Sequence, residues 1–329
     1  MAAFEREFAQ YCGASHCVGV GNGTDALELA LRAVGVKPQS KVVTVANAGM
    51  YSAIAIAAIG AEPVYVDIDP RSLLMDPRGL AALDLADTAA IVATHLYGRL
   101  ADVGSIVAAA REHGVPVIED CAQSHGASRG GKRAGTFGAI GCFSFYPTKN
   151  LGALGDGGAI VTDDGALAER VRQLRQYGWS TKYVSTVAGG RNSRLDEIQA
   201  AILRAKLPHV DQWNDRRRAI AALYRALIRH PDIVVDRSPD ASDVVHLFVV
   251  RTKRRDSLAR HCKERGIGTD VHYPLPDHLQ PIMRGKAAAG AALAETRRAC
   301  DEVLTLPCFA EMTDDEVAAV AAAVNDWRP

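Results

Sequence analysis

Neither sign of charge prevails in this chain of 329 residues: 38 lysines and arginines balance 38 aspartates and glutamates. Nucleic-acid binders normally carry a basic excess that neutralises phosphates, so that class is disfavoured. An acidic disordered tail is disfavoured for the same reason. Paired cysteine spacing is also missing. Cysteines stand at 12, 17, 121, 142, 262, 300 and 308, an odd number with no CxxC. This argues against a disulfide framework or a zinc site, and for reduced thiols in a cytoplasm. The opening MAAFEREFAQ is charged and amphipathic and lacks the apolar stretch of a signal peptide. The longest uncharged run, VVTVANAGMYSAIAIAAIGA at 42–61, is interrupted by Thr44, Asn47 and Ser52 and is rich in alanine. It reads as a short strand followed by a buried helix rather than a membrane span.

The length fits about two domains at ~150 residues each. A chain of this size buries roughly three quarters of its unfolded surface. In the first half, short apolar runs alternate with segments of helical period. VVTVA (42–46), PVYVDI (63–68), AIVATHL (90–96), VPVIED (115–120), GCFSF (141–145) and GAIVTD (158–163) are predicted strands. The alternation predicts a mostly parallel, doubly wound α/β sheet, with ligands at the carboxyl ends of its strands. From Leu167 to about Arg229 the pattern is helical, including a helix expected to start at Ser193 and run to Pro208. A smaller α/β unit follows, with a strand in VVHLFVVR (244–251) and a helix capped by Asp256 and ended by Gly266. A last helix opens on the capping box Thr313 to Glu316. The expected division is 1–210 for a large domain and 211–329 for a small C-terminal one.

Three segments carry candidate chemistry. In GVGNGTDALELAL (19–31), Gly21 and Gly23 precede a helix opening at Thr24 and Asp25. Free N–H groups at a helix start make an anion site, although a glycine-rich turn before a capped helix reads equally well as plain structure. In VIEDCAQSHGA (117–127), Asp120 ends a strand at the ligand edge, with Gln123 and His125 just beyond. A helix-capping aspartate is the competing interpretation. In GCFSFYPTKNLGALGDGG (141–158), Lys149 lies in a loop among glycine, proline and aromatics, five residues after Ser144. A partly desolvated lysine has a lowered pKa and can condense with a carbonyl. An anion site, a carboxylate and such a lysine are the three parts that pyridoxal phosphate requires.

At these residues the chain resembles the DegT/DnrJ/EryC1/StrS family of nucleotide-sugar aminotransferases. The likeness runs from Phe4 nearly to the C-terminus, through NGTDALELAL, GAEPVYVDID, HLYGRLADV, VIEDCAQSHGA, FSFYPTKNLGALGDGGAIVT, GGRNSRLDEIQAAILRAKL and VHYPLPDHLQP. The resemblance implies a fold type I, pyridoxal 5'-phosphate-dependent enzyme that cycles through pyridoxamine 5'-phosphate. Lys149 would form the aldimine and shuttle the proton. Asp120 would pair with the pyridinium nitrogen, and Gln123 would lie near the 3-hydroxyl. Gly23, Thr24 and Ser144 would hold the phosphate. Asn192 resembles an asparagine that reaches that phosphate from the neighbouring subunit of a homodimer. His272 and Tyr273 resemble residues lining the sugar entrance. The implied substrates are an amino donor, L-glutamate or L-glutamine, and a nucleotide-linked keto sugar such as a dTDP-3-keto-6-deoxyhexose.

Two features depart from the family pattern. The usual ring-stacking aromatic is not evident in ANAGMYSAIA, where Tyr51 is the nearest candidate and core packing the competing interpretation. Family members usually carry a few dozen residues ahead of the segment matching FEREFAQYCG, a piece that helps form the dimer. Two other functions stay open from sequence. One is a pyridoxamine-phosphate-dependent sugar dehydratase, whose relatives replace the lysine by histidine. The other is a non-catalytic subunit of the same fold.

Overall fold

The computed structural model describes residues 1–236, 242–283 and 292–329. The first unit is a seven-stranded sheet: β1 (His16–Val20), β2 (Lys41–Thr44), β3 (Glu62–Tyr65), β4 (Thr88–Thr94), β5 (Val117–Asp120), β8 (Ile140–Ser144) and β9 (Gly158–Thr162). Two small hairpins lie outside it, β6 (Ser128–Arg129) with β7 (Lys132–Arg133), and β10 (Trp179–Thr181) with β11 (Val184–Ser185). The spatial order is β1-β9-β8-β5-β4-β2-β3. Only β9 runs against the rest of the sheet, pairing antiparallel with both β1 and β8. The parallel strands are buried on both faces, which explains their near-continuous apolar runs.

Helices cover both faces. One core joins Val18, Val92, Ile118 and Ile160 to α2 (Gly23–Ala33), α3 (Tyr51–Ala58) and α6 (Gly165–Leu174). The opposite face packs Val43, Ile91 and Val117 against α4 (Pro77–Ala81) and α5 (Val103–Glu112). The amphipathic α1 (Ala2–Cys12) inserts Phe4 and Phe8, whose rings meet Phe145 and Phe143 edge-on at 5.3 and 5.0 Å. It thereby buttresses β8, the strand that leads into the Lys149 loop.

Beyond α7 (Glu197–Lys206), α8 (Val210–Leu227) joins two cores. Val210 belongs to the core with α1, whereas Ile220, Ala221 and Tyr224 pack in a C-terminal core. That second core includes the antiparallel pair β12 (Phe248–Arg251) and β13 (Val303–Leu306) and the helices α9 (Arg255–Glu264) and α11 (Asp314–Asp326). α10 (Ala294–Glu302) precedes β13.

Several element boundaries differ from the expected ones. β1 was hidden by its glycine-rich surroundings. Apolar runs such as 63–68 and 244–251 continue past their strands, so burial outlasts the pairing ladder. Ser193 does not cap a helix: α7 begins only at Glu197, and the Ser193 hydroxyl accepts the Gly21 N–H at 2.9 Å. Asp256 lies inside the first turn of α9, whose N-cap is Arg254. Gly266 follows that helix with φ +73°. The segment around 179–185, read as helical, forms the β10–β11 hairpin.

Candidate active site

The carboxyl ends of β4, β5 and β8 open into a cavity of about 1270 Å³, closed on the far side by residues of the C-terminal unit. β8 delivers the lysine. After Ser144 the chain turns tightly, with the Lys149 N–H donating to the Tyr146 carbonyl at 2.9 Å. Gly152 lets this loop fold on itself, since a Cβ there would sit 2.4 Å from the Pro147 carbonyl oxygen. Lys149 is half-buried, and desolvation lowers its pKa below the usual ammonium range while the charge of Asp120 pulls the other way. A lysine in this setting releases its proton more readily than a surface lysine.

Asp120 ends β5 and is 5% exposed. Its Oδ1 accepts the Ala122 N–H at 3.1 Å. Burial raises its pKa, against the opposing pull of that hydrogen bond and of Lys149. A buried carboxylate so poorly compensated favours a cationic partner in the cavity. Gln123 is held from both sides: its Oε1 accepts the Tyr97 N–H at 2.6 Å, and its Nε2 donates to the Tyr273 hydroxyl at 3.3 Å.

The start of α2 offers unpaired donors. The Asn22 side chain caps the helix by accepting the Asp25 N–H at 2.8 Å. The N–H groups of Gly23 and Thr24 remain without a partner among the described residues. A Cβ on Gly23 would lie 2.6 Å from the Ser144 Cβ, so glycine alone permits the helix start to approach β8 this closely. Unpaired helix-terminal donors beside a hydroxyl suit a phosphate. Unpaired donors suited to a phosphate, a buried carboxylate and a partly desolvated lysine in one cavity therefore fit pyridoxal phosphate.

The cavity brings together Gly23, Thr24, Tyr51, Asp120, Gln123, Ser144, Lys149, His272 and Tyr273. Tyr51 is 48% exposed at the start of α3, which overturns the core-packing alternative. Its ring meets that of Tyr273 edge-on, with centroids 6.0 Å apart. Gly49 passes beneath Tyr273 at φ +75°, where a Cβ would fall 2.8 Å from the ring. His272 bonds the Thr305 hydroxyl through Nδ1 at 2.8 Å, and burial lowers its pKa. Asn192 is exposed and does not line this chain's own cavity.

Sequence reasoning passed over several residues of the site. Asn150, adjacent to Lys149, donates to Asn214 Oδ1 at 2.8 Å and to the Val244 carbonyl at 3.0 Å. Its Oδ1 accepts from His246 Nδ1 at 2.9 Å. Asn214 donates in turn to the His125 carbonyl at 2.8 Å. This relay ties the lysine loop to α8 and to the start of the C-terminal unit. His246 had vanished inside an apolar strand pattern, although a histidine between apolar runs was the available signal. Burial and the nearby Lys149 hold His246 neutral, its pKa well below normal. His125, packed on Phe143 and Phe145, is likewise pushed down to about 3 by burial.

Glu119, beside Asp120, points to the other side of the sheet and has a structural role. It accepts from Phe137 and Gly138 N–H at 2.7 Å each, from Gly135 N–H at 2.9 Å and from His95 Nε2 at 2.9 Å. His95 Nδ1 accepts the Ala101 N–H at 3.1 Å, which assigns the proton to Nε2. Together with Cys121 these two side chains have metal-ligating atoms close together. Four donors already occupy the carboxylate, however, and burial keeps the thiol protonated.

A family model for the DegT/DnrJ/EryC1/StrS aminotransferases matches residues 1–325. The chain belongs to that family. It is 44% identical to dTDP-3-amino-3,4,6-trideoxy-alpha-D-glucose transaminase of Streptomyces venezuelae, over 99% of this chain and 86% of the relative. It is 45% identical to dTDP-3-amino-3,6-dideoxy-alpha-D-galactopyranose transaminase of Aneurinibacillus thermoaerophilus, over 98% and 89%. Among solved structures, S. venezuelae DesV in complex with a ketimine intermediate superposes with a TM-score of 0.95 at 44% identity, covering 99% of this chain and 88% of that one. NtdA of Bacillus subtilis, solved with its cofactor PMP bound, superposes at 0.90 and 30% identity, covering 98% and 76%. The fold is that of the fold type I pyridoxal phosphate enzymes, and this chain is an aminotransferase that uses that cofactor. Among the described residues no helix is long and apolar enough to cross a membrane.

Proposed function

We propose that this enzyme moves the amino group of L-glutamate, or alternatively L-glutamine, to a keto group on a nucleotide-linked deoxyhexose, a dTDP-3-keto-6-deoxyhexose being the best candidate. The observation that carries the reading is the meeting of a partly desolvated Lys149 and a buried Asp120 in one cavity large enough for a sugar nucleotide. Relatives whose names specify dTDP-linked 3-amino sugars support the substrate class.

When bound, pyridoxal phosphate supplies an electron sink and a carrier for the amino group. The chain's own groups do the rest. Asp120 would pair with the cofactor's ring nitrogen, a cationic partner that would relieve its desolvation and keep it ionised. Gln123, fixed by Tyr97 and Tyr273, would hold the oxygen side of the ring. The Gly23 and Thr24 N–H groups and the Ser144 hydroxyl would hold the cofactor's phosphate. Lys149 Nζ, with its lowered proton affinity, takes the proton from the amino-acid carbon and returns it on the same face. Tyr51, His272 and Tyr273 line the sugar side. Asn192 completes the phosphate site of the neighbouring subunit in a homodimer that shares its active sites, and the enzyme works in the cytoplasm.

The test is spectroscopic. Purified protein loaded with pyridoxal phosphate should show the visible band of the lysine-linked cofactor, and L-glutamate or L-glutamine should bleach it. A panel of dTDP-, UDP- and GDP-linked keto sugars should then restore the band, dTDP sugars fastest. Lys149→Ala should lack the band yet still bind pyridoxamine phosphate. Wild-type transamination rates in that variant would overturn the role given to Lys149.

A further inference from the structure

We infer that Arg217 is the anchor for the α-carboxylate of the amino donor, an assignment that rests on the proposed reaction. Arg217 projects from α8 into the cavity and is only 8% exposed. Its Nη1 is spent on three carbonyl oxygens, those of Cys308 at 2.6 Å, His246 at 3.2 Å and Val245 at 3.3 Å. These bonds fix the plane of the guanidinium without neutralising it. Its Nε and Nη2 find no oxygen acceptor among the described residues, and no described carboxylate forms an ion pair with it. Two acidic side chains act on its charge, and neither is an ion-pair partner. Glu311, on the same cavity wall, is exposed and acts only at a distance. The Cys308 thiol is pushed up to about 11 and stays neutral. Arginine keeps its proton even when burial lowers its pKa, so the cavity wall holds a buried cation that the Cys308 thiol also contacts but that no described carboxylate pairs with. A planar pair of donors matches a carboxylate in two-point fashion.

The place of Arg217 selects the carboxylate nearest the reacting carbon. It grips the carbonyl of His246, whose ring bonds Asn150, the residue next to Lys149. The α-carboxylate is one bond from the carbon that Lys149 serves, whereas the diphosphate of a nucleotide sugar lies beyond a whole sugar ring. Lys206, a further cation on the cavity wall, donates to the Gly152 carbonyl at 2.7 Å and offers a point charge rather than a planar pair of donors. His246 is held neutral and cannot offer a charge.

Single-turnover spectroscopy on the loaded enzyme separates the two half-reactions. Arg217→Lys and Arg217→Gln should raise the half-saturating concentration of L-glutamate and of L-glutamine together, by about tenfold or more. Their cofactor affinity and the keto-sugar half-reaction should change by less than about twofold. A loss confined to L-glutamate would move Arg217 to the side-chain carboxylate and overturn the assignment, as would a loss confined to the keto sugar. Chemical protection in the wild-type holoenzyme gives an answer even if the variants fold poorly. Glutarate should shield Arg217 from phenylglyoxal, read by mass spectrometry of its peptide, and dTDP should not. Shielding by dTDP alone would assign the diphosphate instead. A wild-type enzyme that neither amino acid bleaches would refute the donor reading, while the glutarate protection would still decide whether Arg217 binds a carboxylate.

Discussion

Asp277 shows how much one buried atom can set. Its Oδ1 accepts the Met50 N–H at 2.9 Å, its own N–H donates to the Ala46 carbonyl at 2.7 Å, and its Oδ2 is buried without a partner among the described residues. Burial pushes its pKa up to about 7. In the unfolded chain an aspartate titrates near ~3.9. The folded state therefore retains a proton that the unfolded state has lost, so stability is full below about pH 4 and declines as pH rises through about 7. At ~1.4 kcal/mol per pKa unit, this one group accounts for up to about 4 kcal/mol. Asp277→Asn keeps the acceptor for Met50 and removes the titration. Urea unfolding between about pH 4 and 8 should show a flatter profile for the variant and higher stability than wild type at the alkaline end. A variant profile parallel to wild type would refute this account. The same residue scale explains what was legible in the site. Lys149 and Asp120 stand in strings whose residue types suggest a lysine and carboxylate chemistry, whereas Gln123 was assigned through the family resemblance. Arg217, Asn150 and His246 are recognisable only through partners 28 to 96 positions away.

At the level of elements, local signals worked where they were self-contained. The capping box of α11 is complete: Thr313 accepts the Glu316 N–H, and Glu316 accepts that of Thr313. Thr313→Ala should cost about 1 kcal/mol, measured as a lower unfolding midpoint in urea, with little effect on the visible spectrum of the loaded enzyme. Where a polar residue has a distant competitor, the local rule fails. Ser193 resembles a cap, but its hydroxyl is engaged by Gly21, and α7 starts four residues later. The β10–β11 hairpin was missed because its stability comes from contacts among Tyr177, Trp179 and Tyr183, whose rings lie 5.2–5.3 Å apart, rather than from a period-2 pattern.

For the whole molecule, apolar side chains left on the surface matter. Tyr183, Leu154 and Ile198 are 73–76% exposed on one chain. Burial of such groups favours association. The homodimer proposed above predicts complementation. Lys149→Ala and Asn192→Ala subunits, each impaired as a homodimer, should recover roughly a quarter of wild-type activity after subunit exchange, because mixed dimers contain one intact site. Mixtures no more active than their parents, with a monomeric sedimentation coefficient, would sink the shared-site proposal.

The order of short apolar runs and helical periods was enough to establish a mostly parallel α/β sheet, and the glycine-, aspartate- and lysine-bearing strings were enough to establish a cofactor chemistry. Both depend on contacts between near neighbours in the chain, and such contacts leave a pattern. The tertiary structure alone decided that the carboxyl ends of three strands and a wall of the C-terminal unit enclose one cavity. It also decided that a buried arginine on α8 lines that cavity with no carboxylate paired to it among the described residues. Those facts arise from packing between distant segments, where desolvation and geometry are set jointly by residues that no local pattern connects.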